Sequence, residues 1–385
     1  PAPAPALVLA DADLVLDGIL GIGGRLGLPS WAAPWVEAVP DTAYVIAVDT
    51  PSGQDPSGES PLNPAGVFAD ETVTFSVVKP VHVLPPANQA VGALTVVDIG
   101  LSVESDPAVV QLQRDDVAER WPVPGPGDDK YSRGVVGIVA GGEDYSGAAV
   151  LCVTSAVAAG AGMVRYVGTP TPTALVRAAV PEAVHGVGRV QAWVIGPGLD
   201  VHATGAEATS QLAAARDALA AEVPVVLDAG GLDLLDGPRS APTLLTPHAG
   251  EAARLLTRLG GAEVTRREVE AAPVVAARNL AEVTGASVLL KGASTIVVSP
   301  DEDAPVLVAA EAPAWLATAG AGDVLAGLAG TLLAAGLEPA AAGAVAAIVH
   351  GVAADEANPG GPVRALAVAH HIPRVVAGLL RRPGP

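Results

Sequence analysis

Short unbroken runs of Val, Ile and Leu, each stopped by Asp, Gly or Lys, constrain this 385-residue chain more than any other feature. Residues 44–48 (YVIAV) stop at Asp49, residues 135–140 (VVGIVA) at Gly141, and residues 192–195 at Gly196. Residues 224–228 (PVVLD) close on Asp228, and residues 288–290 (VLL) on Lys291. A run that is apolar at every position belongs to a strand covered on both faces, hence to a parallel sheet between helical layers. The runs alternate with small-residue helical stretches, which predicts an α/β chain. Further runs at residues 14–16, 72–78, 93–97 and 160–167 extend the pattern. Ligands of such sheets bind beyond the carboxyl ends of the strands, where Asp17 and Asp49 lie.

The length allows two domains with sizeable cores. Half the residues are apolar but only 3% are aromatic, so those cores are built from Ala, Val and Leu. A formal charge of −20 argues against nucleic acid and anionic membranes as partners. The single cysteine, Cys152, excludes an intramolecular disulfide, fits a reducing cytoplasm and reads as core filler. The opening PAPAPALVLADAD lacks the basic residues of a secretory signal. Residues 147–164 form the longest apolar tract but are Ala/Gly-rich, carry Thr154 and Ser155 and end at Arg165, so a soluble cytoplasmic protein is expected.

Residues 318–330, TAGAGDVLAGLAG, carry the strongest chemical signal. Gly320 and Gly322 allow a tight turn, and Val324, Leu325 and Leu328 start a buried helix. Such a helix start offers unpaired N–H groups and a favourable dipole to an anion. Asp323 at that mouth is either an N-terminal cap or a base that takes a proton from a hydroxyl while the amides hold a transferring phosphoryl group.

GAGDVLAG resembles the Gly-Asp element of ribokinase-like enzymes, and more narrowly that of the ADP/ATP-dependent NAD(P)H-hydrate dehydratases. The resemblance spans roughly residues 130 to 357 through GG…GA at 141–148, Gly-Pro-Gly at 196–198, TPHAGE at 246–251 and KGAST at 291–295. It implies that Ala148, Gly198 and His248 touch the substrate, as does Asp323, the base. It also implies that Lys291, Gly292, Ala293, Ser294 and Thr295, with Gly322, hold the adenine nucleotide. Read without that resemblance, His248 is a helix cap, Lys291 a lysine over a hairpin turn, and the Gly141 segment a tight βα turn.

A second resemblance lies upstream. DGILGIGGRLG at 17–27, VDTPSG at 48–53 and Lys79-Pro80 are similar to the later half of NAD(P)H-hydrate epimerase domains. It implies potassium held by Asp17 and Ser52, and substrate contacts from Gly21, Ile22, Gly23, Gly24, Arg25, Leu26, Gly27 and Asp49, with Asp49 as acid–base group. The alternative is strand-end punctuation, a common use of Asp and Gly. The earlier Asn-Asn-Gly-Gly-Asp-like loop of that family has no counterpart before Asp17. These 385 residues are therefore expected not to epimerise unaided.

The expected organisation is a partial Rossmann-like epimerase domain at 1–105, a linker at 106–130 and a ribokinase-like three-layer α/β/α domain at 131–385. The linker is inferred from the Pro/Gly density that follows Trp121. The implied activity is repair of hydrated NAD(P)H: ADP or ATP with magnesium phosphorylates the ring hydroxyl, and loss of phosphate restores the ring. The resemblance also implies a homo-oligomer. Two alternatives are a vitamin-precursor kinase of the hydroxymethylpyrimidine type and a silent nucleotide-binding scaffold. None of the seven histidines shows paired metal-ligand spacing.

Overall fold

The structure is a computed structural model and describes residues 4–21 and 23–381. The chain divides into two compact units, Pro1–Val109 with Arg267–Ala276, and Val110–Arg266 with Ala277–Pro385.

The first unit runs α1 (Pro5–Leu9), β1 (Leu14–Asp17), α2 (Ala33–Glu37), β2 (Tyr44–Val48), β3 (Glu71–Phe75), α3 (Pro80–Val83) and β4 (Ala93–Val97). Its four strands pair in sequence order, all parallel, with Leu14 opposite Tyr44 and Glu71 opposite Ala93. The run at 72–78 is shorter than expected, because Ser76 turns the chain at φ 53° before α3. The expectation of a sheet covered on both faces fails here among the described residues. Leu16 is 64% exposed, and Leu14, Tyr44, Leu94 and Val96 are exposed with it.

The second unit continues with β5 (Val109–Gln111), α4 (Arg114–Arg120), β6 (Val135–Val139), α5 (Ser146–Ala158), β7 (Met163–Val167), α6 (Pro170–Ala179), β8 (Val184–His185), β9 (Ala192–Ile195), α7 (Ala206–Ala220), β10 (Val225–Leu227) and β11 (Thr243–Leu245). Then come α8 (Ala249–Gly260), α9 (Arg266–Ala271) and α10 (Pro273–Thr284), whose residues Arg267–Ala276 group with the first unit, followed in the second by β12 (Ser287–Leu290), β13 (Thr295–Val298), β14 (Val306–Ala309), α11 (Ala321–Ala334), α12 (Pro339–Ala357) and α13 (Ala365–Leu380). They form one ten-stranded sheet in the order β5-β14-β13-β12-β11-β10-β9-β6-β7-β8. Pairing is parallel from β12 through to β8 and antiparallel between β12, β13 and β14. The chain leaves β6 for β7 on one side and returns to β9 on the other. The crevice beyond β6 and β9 is therefore the topological switch point, where α/β sheets place ligands.

Side-chain alternation builds the layers. Val136, Ile138, Ala192, Val194, Val226, Leu244 and Leu289 share one core with α5, α11, α12 and α13. The alternate residues Trp193, Ile195, Val225, Leu227 and Leu245 are buried outside that cluster, and α7 covers β6 and β9 with Leu212 and Ala215. The small residues of the AGLAG segment let α11 lie close: a Cβ on Gly330 would stand 2.1 Å from Val194 Cγ2.

Two expectations change. The stretch at 106–130 is not simply a linker: β5 joins the sheet beside β14, and α4 packs on α12 and α13 with Leu112, Val117 and Trp121 buried. Pairing with a strand two hundred residues away leaves no local signal, and the Pro/Gly run after Trp121 masked the shorter pattern before it. Among the described residues, the helix long and apolar enough to cross a membrane is α12, not the 147–164 tract, and 72% of its apolar window is buried within the protein.

Candidate active site

In the second unit, the first turn of α11 organises the site. Gly320 takes a left-handed conformation (φ 88°) and is the N-cap residue, with Ala321, Gly322 and Asp323 following as the first turn. The capping alternative for Asp323 therefore fails: the residue lies within the first turn, and its carboxylate makes no hydrogen bond or ion pair among the described residues. Burial, then the neighbouring charge of Asp228, raises its pKa to about 7, with Lys291 partly offsetting them. A carboxyl group poised there exchanges protons readily at neutral pH.

The lysine that would neutralise Asp323 is already engaged. Lys291 follows β12, and its Nζ lies 2.8 Å from Asp228 Oδ1 and 3.7 Å from Glu251 Oε2. Burial alone would weaken its hold on the proton, but Asp228, Glu251 and Asp323 together outweigh it, so the pKa rises. Asp228 follows β10, is buried, and also accepts a 2.8 Å hydrogen bond from Thr246 Oγ1. The pair lies against the helix start: the Cβ position of Gly322 stands 3.4 Å from Lys291 Nζ and 3.9 Å from Asp228 Oδ2, both ordinary contact distances.

His248 does cap a helix. Its Nδ1 accepts the N–H groups of Gly250 (3.0 Å) and Glu251 (3.2 Å) at the start of α8, and Glu251 returns the contact to the His248 N–H at 2.8 Å. With Nδ1 accepting, Nε2 carries the ring proton and remains a donor. The Lys291 N–H bonds to Pro247 O at 2.9 Å, tying the TPHAGE and KGAST segments together.

A cavity of about 710 Å³ opens beside these groups, lined by His248, Lys291, Gly292, Ala293, Thr295 and Gly322 at its polar end and by Ala309, Pro313, Leu316, Leu325 and Ala347 elsewhere. Its size suits a ligand of nucleotide scale. Ser294 belongs to the same β12–β13 turn but does not line the cavity, and neither do Asp323, Ala148 and Gly198. Ala148 and Gly198 meet at the switch point instead: a Cβ on Gly198 (φ 64°) would fall 2.6 Å from Ala148 Cβ. Leu151 of α5 and Asp323 both adjoin Gly320, whose Cβ position stands 2.5 Å from Leu151 Cδ1 and 3.8 Å from Asp323 Oδ2.

Sequence reasoning missed His350. It lines the cavity from α12, is 5% exposed, and its Nε2 has no hydrogen-bond partner among the described residues. Burial first, then Lys291, pushes its pKa to about 4, so the ring stays neutral. One histidine in an Ala-rich helix gives no local clue to this. Asp228 and Glu251 were visible only as punctuation after a strand and as the end of a motif.

Among the described residues, no three His, Cys, Asp or Glu side chains converge as a metal cage.

The first unit holds a second constellation. Ser52 Oγ donates to Asp17 Oδ1 (2.7 Å), the Ser52 N–H donates to Oδ2 (2.8 Å), and Leu20 N–H reaches Ser52 Oγ at 2.9 Å. The two residues expected around potassium are thus adjacent and oxygen-rich, the donor type a hard cation takes. Asp49 is buried and left-handed (φ 73°), an uncommon conformation for a non-glycine residue. Lys79 Nζ forms an ion pair with its carboxylate, Thr74 Oγ1 donates to it at 3.1 Å, and Thr74 also receives Lys79 Nζ at 2.7 Å. His82 ties the pair from behind, accepting the Lys79 N–H on Nδ1 and donating from Nε2 to Asp49 O. Burial lowers its pKa, with Lys79 acting in the same sense against the pull of Asp49.

Gly21 adjoins Asp49, its Cβ position lying 3.5 Å from Oδ2. Gly24 closes on Gly21 O, and Gly27 on Gly53 O. Gly23, Arg25 and Leu26 are exposed, while Ile22 lies outside the described residues.

Comparison with known proteins fits this division. The family model for NAD(P)H-hydrate dehydratase matches residues 136–373, and that for the YjeF-related protein N-terminus matches residues 2–81. The chain is 46% identical over 342 residues to the bifunctional NAD(P)H-hydrate repair enzyme Nnr of Mycobacterium tuberculosis (strain CDC 1551 / Oshkosh), covering 86% of this chain and 67% of that one. It is 44% identical over 390 residues to the Nnr enzyme of Mycobacterium leprae, covering 97% and 77%. Among solved structures, it is similar to the ADP/ATP-dependent NAD(P)H-hydrate dehydratase of Bacillus subtilis co-crystallised with ATP and Mg2+. That match has TM-score 0.60 and 26% identity, covering 69% of this chain and 97% of that one. A ribokinase-like superfamily protein of Enterococcus faecalis shares the fold at TM-score 0.61 and 19% identity, covering 73% of this chain and 100% of that one.

Proposed function

The chain belongs to the NAD(P)H-hydrate dehydratase family, and from that premise we propose that Asp323 is the base of a nucleotide-dependent dehydration that repairs hydrated NAD(P)H. The observation that carries the assignment is the unpaired carboxyl group of Asp323, with its pKa raised to about 7, at the first turn of α11.

Asp323 takes the proton of the hydroxyl on the hydrated nicotinamide ring as that oxygen attacks the terminal phosphorus of ATP or ADP. The bond from phosphorus to the departing nucleotide breaks, and the N–H groups of Gly322 and Asp323, which have no backbone acceptor among the described residues, hold the charge on the transferring group. Loss of phosphate, with a proton from the adjacent ring carbon, restores the double bond. Lys291, with Gly292, Ala293, Ser294, Thr295 and Gly322, holds the nucleotide. Ala148, Gly198 and the His248 Nε2 donor shape the side that receives the nicotinamide. Magnesium bound with the nucleotide would neutralise phosphate charge. The homo-oligomer implied by the resemblance enters no step, and the relatives do not favour the vitamin-kinase or scaffold alternatives.

For the first unit we assign Asp49 as the acid–base group of an epimerase-like site, with the 21–27 loop beside the substrate. Asp17 and Ser52 are the residues that would hold potassium.

The test mixes the chain with hydrated NADH or hydrated NADPH, magnesium, and ADP or ATP, and follows the absorbance of the reduced nicotinamide. Recovery that requires nucleotide is expected and identifies the donor. Bound nucleotide with no recovery on either hydrate would contradict the assignment.

A further inference from the structure

The arrangement of charge around α11 poses a question that the base assignment alone leaves open. Asp323 faces Asp228 from the end of β10, Lys291 from the end of β12 and the buried Cys152 thiol from α5. Glu251 of α8 and His350 of α12 bear on the same lysine. His350 stays neutral, and burial raises the Cys152 pKa well above the ordinary thiol value. Lys291 is therefore the cation in the group, and three carboxylates, Asp228, Glu251 and Asp323, compete for it. The hydrogen bonds go to Asp228: Thr246 Oγ1 and Lys291 Nζ, each at 2.8 Å, both converge on its Oδ1. Its second oxygen, Oδ2, faces the Gly322 backbone, in the turn that carries Asp323.

We propose that Asp228 is a positioning residue of the dehydratase site. Through Oδ1, oriented by Thr246, it anchors Lys291 where nucleotide phosphate arrives. Through Oδ2 it sets negative charge against the α11 turn and keeps the lysine from pairing with Asp323. The base stays free because its natural partner is held elsewhere. This rests on the reading of Asp323 as the base.

The experiment uses the full chain and records kcat/KM for hydrated NADH against pH, together with the nucleotide KM, for wild type, Asp228→Asn and Asp228→Glu. The Asn variant keeps an oxygen for Thr246 and Lys291 but loses the charge. Its acidic limb should move about one pH unit towards acid, because burial still raises Asp323 but the Asp228 charge that adds to it is gone, and Lys291 is released to pull it down. Its nucleotide KM should rise about tenfold, the scale of one charged hydrogen bond. The Glu variant restores charge with displaced geometry, so its limb should stay at the wild-type position while the nucleotide KM still rises.

An Asn profile superimposable on wild type would overturn the proposal. So would an effect confined to the magnesium requirement with the limb unmoved, which would make Asp228 a metal contact. If the Asn variant does not fold, the Glu variant decides: an unchanged nucleotide KM overturns the proposal, and a raised KM with an unmoved limb supports it. An Asp323→Asn protein that keeps both turnover and limb would overturn the base reading, and with it the role given to Oδ2. The anchoring of Lys291 would still be judged by nucleotide KM.

Discussion

Each unit of this protein buries an aspartate beside a lysine, and the two pairs are wired differently. In the first unit Lys79 sits on Asp49, Thr74 bridges the two, and His82 fastens the backbone of both. In the second, Lys291 is drawn to Asp228 and Asp323 is left unpaired, with its pKa near 7. Residue types alone do not separate these cases. A second carboxylate, placed to take the lysine, converts a stored ion pair into a free base. The surroundings differ in the same sense: the central strands of the second sheet, β6 and β9 to β12, are buried on both faces, while the first exposes Leu14, Leu16 and Val96.

Substitutions can break or sharpen that contrast. Asp323→Asn should have the largest effect, lowering the dehydration rate about 10²- to 10⁴-fold, the usual worth of a general base. Near-normal turnover in that variant would remove the distinction between the two aspartates. Lys291→Met comes next: it deletes a buried charged contact worth about 1.5–3 kcal/mol, so the nucleotide KM should rise about 10- to 100-fold with a smaller change in kcat.

Gly198→Ala probes the switch point. Its Cβ would sit 2.6 Å from Ala148 Cβ and 2.8 Å from Tyr145 O in a left-handed conformation, and should cost about 1–3 kcal/mol by thermal unfolding, with a raised hydrate KM. An unchanged hydrate KM would take Gly198 out of the substrate pocket. Asp49→Asn should have the smallest effect, leaving the rate of nucleotide-dependent dehydration within about twofold of wild type, as expected for substitutions away from the reacting groups. A loss comparable to that of Asp323→Asn would mean that the two units do not act separately.

Much of the second unit was legible because its strands are apolar at every position and its motifs are contiguous: GAGD, KGAST and TPHAGE each place several site residues within a few bonds of one another. Contacts assembled across the fold were not legible. Asp228 meets Thr246 eighteen residues away and Lys291 sixty-three away, so nothing local marked it as more than the end of a strand. His350 acquires its character only from burial beside Lys291. The strand and helix at 109–120 were hidden for the same reason, since β5 exists only through its pairing in the ten-stranded sheet. In the first unit, Lys79-Pro80 was visible, but the αL geometry of Asp49 and the His82 bridge were not, because both depend on where the chain returns after β3.

The free base is the centre of this account, and the pH dependence of kcat/KM for hydrate dehydration by the wild-type chain tests it most directly. That quantity reports the essential group in the free enzyme, and the deprotonated form of Asp323 is the active one. With its pKa raised to about 7, the rate should fall as the pH drops through neutrality, and Asp323→Asn should abolish that limb. A rate that stays flat through neutrality and falls only in the ordinary carboxylate range would contradict it, because Asp323 would then be paired after all.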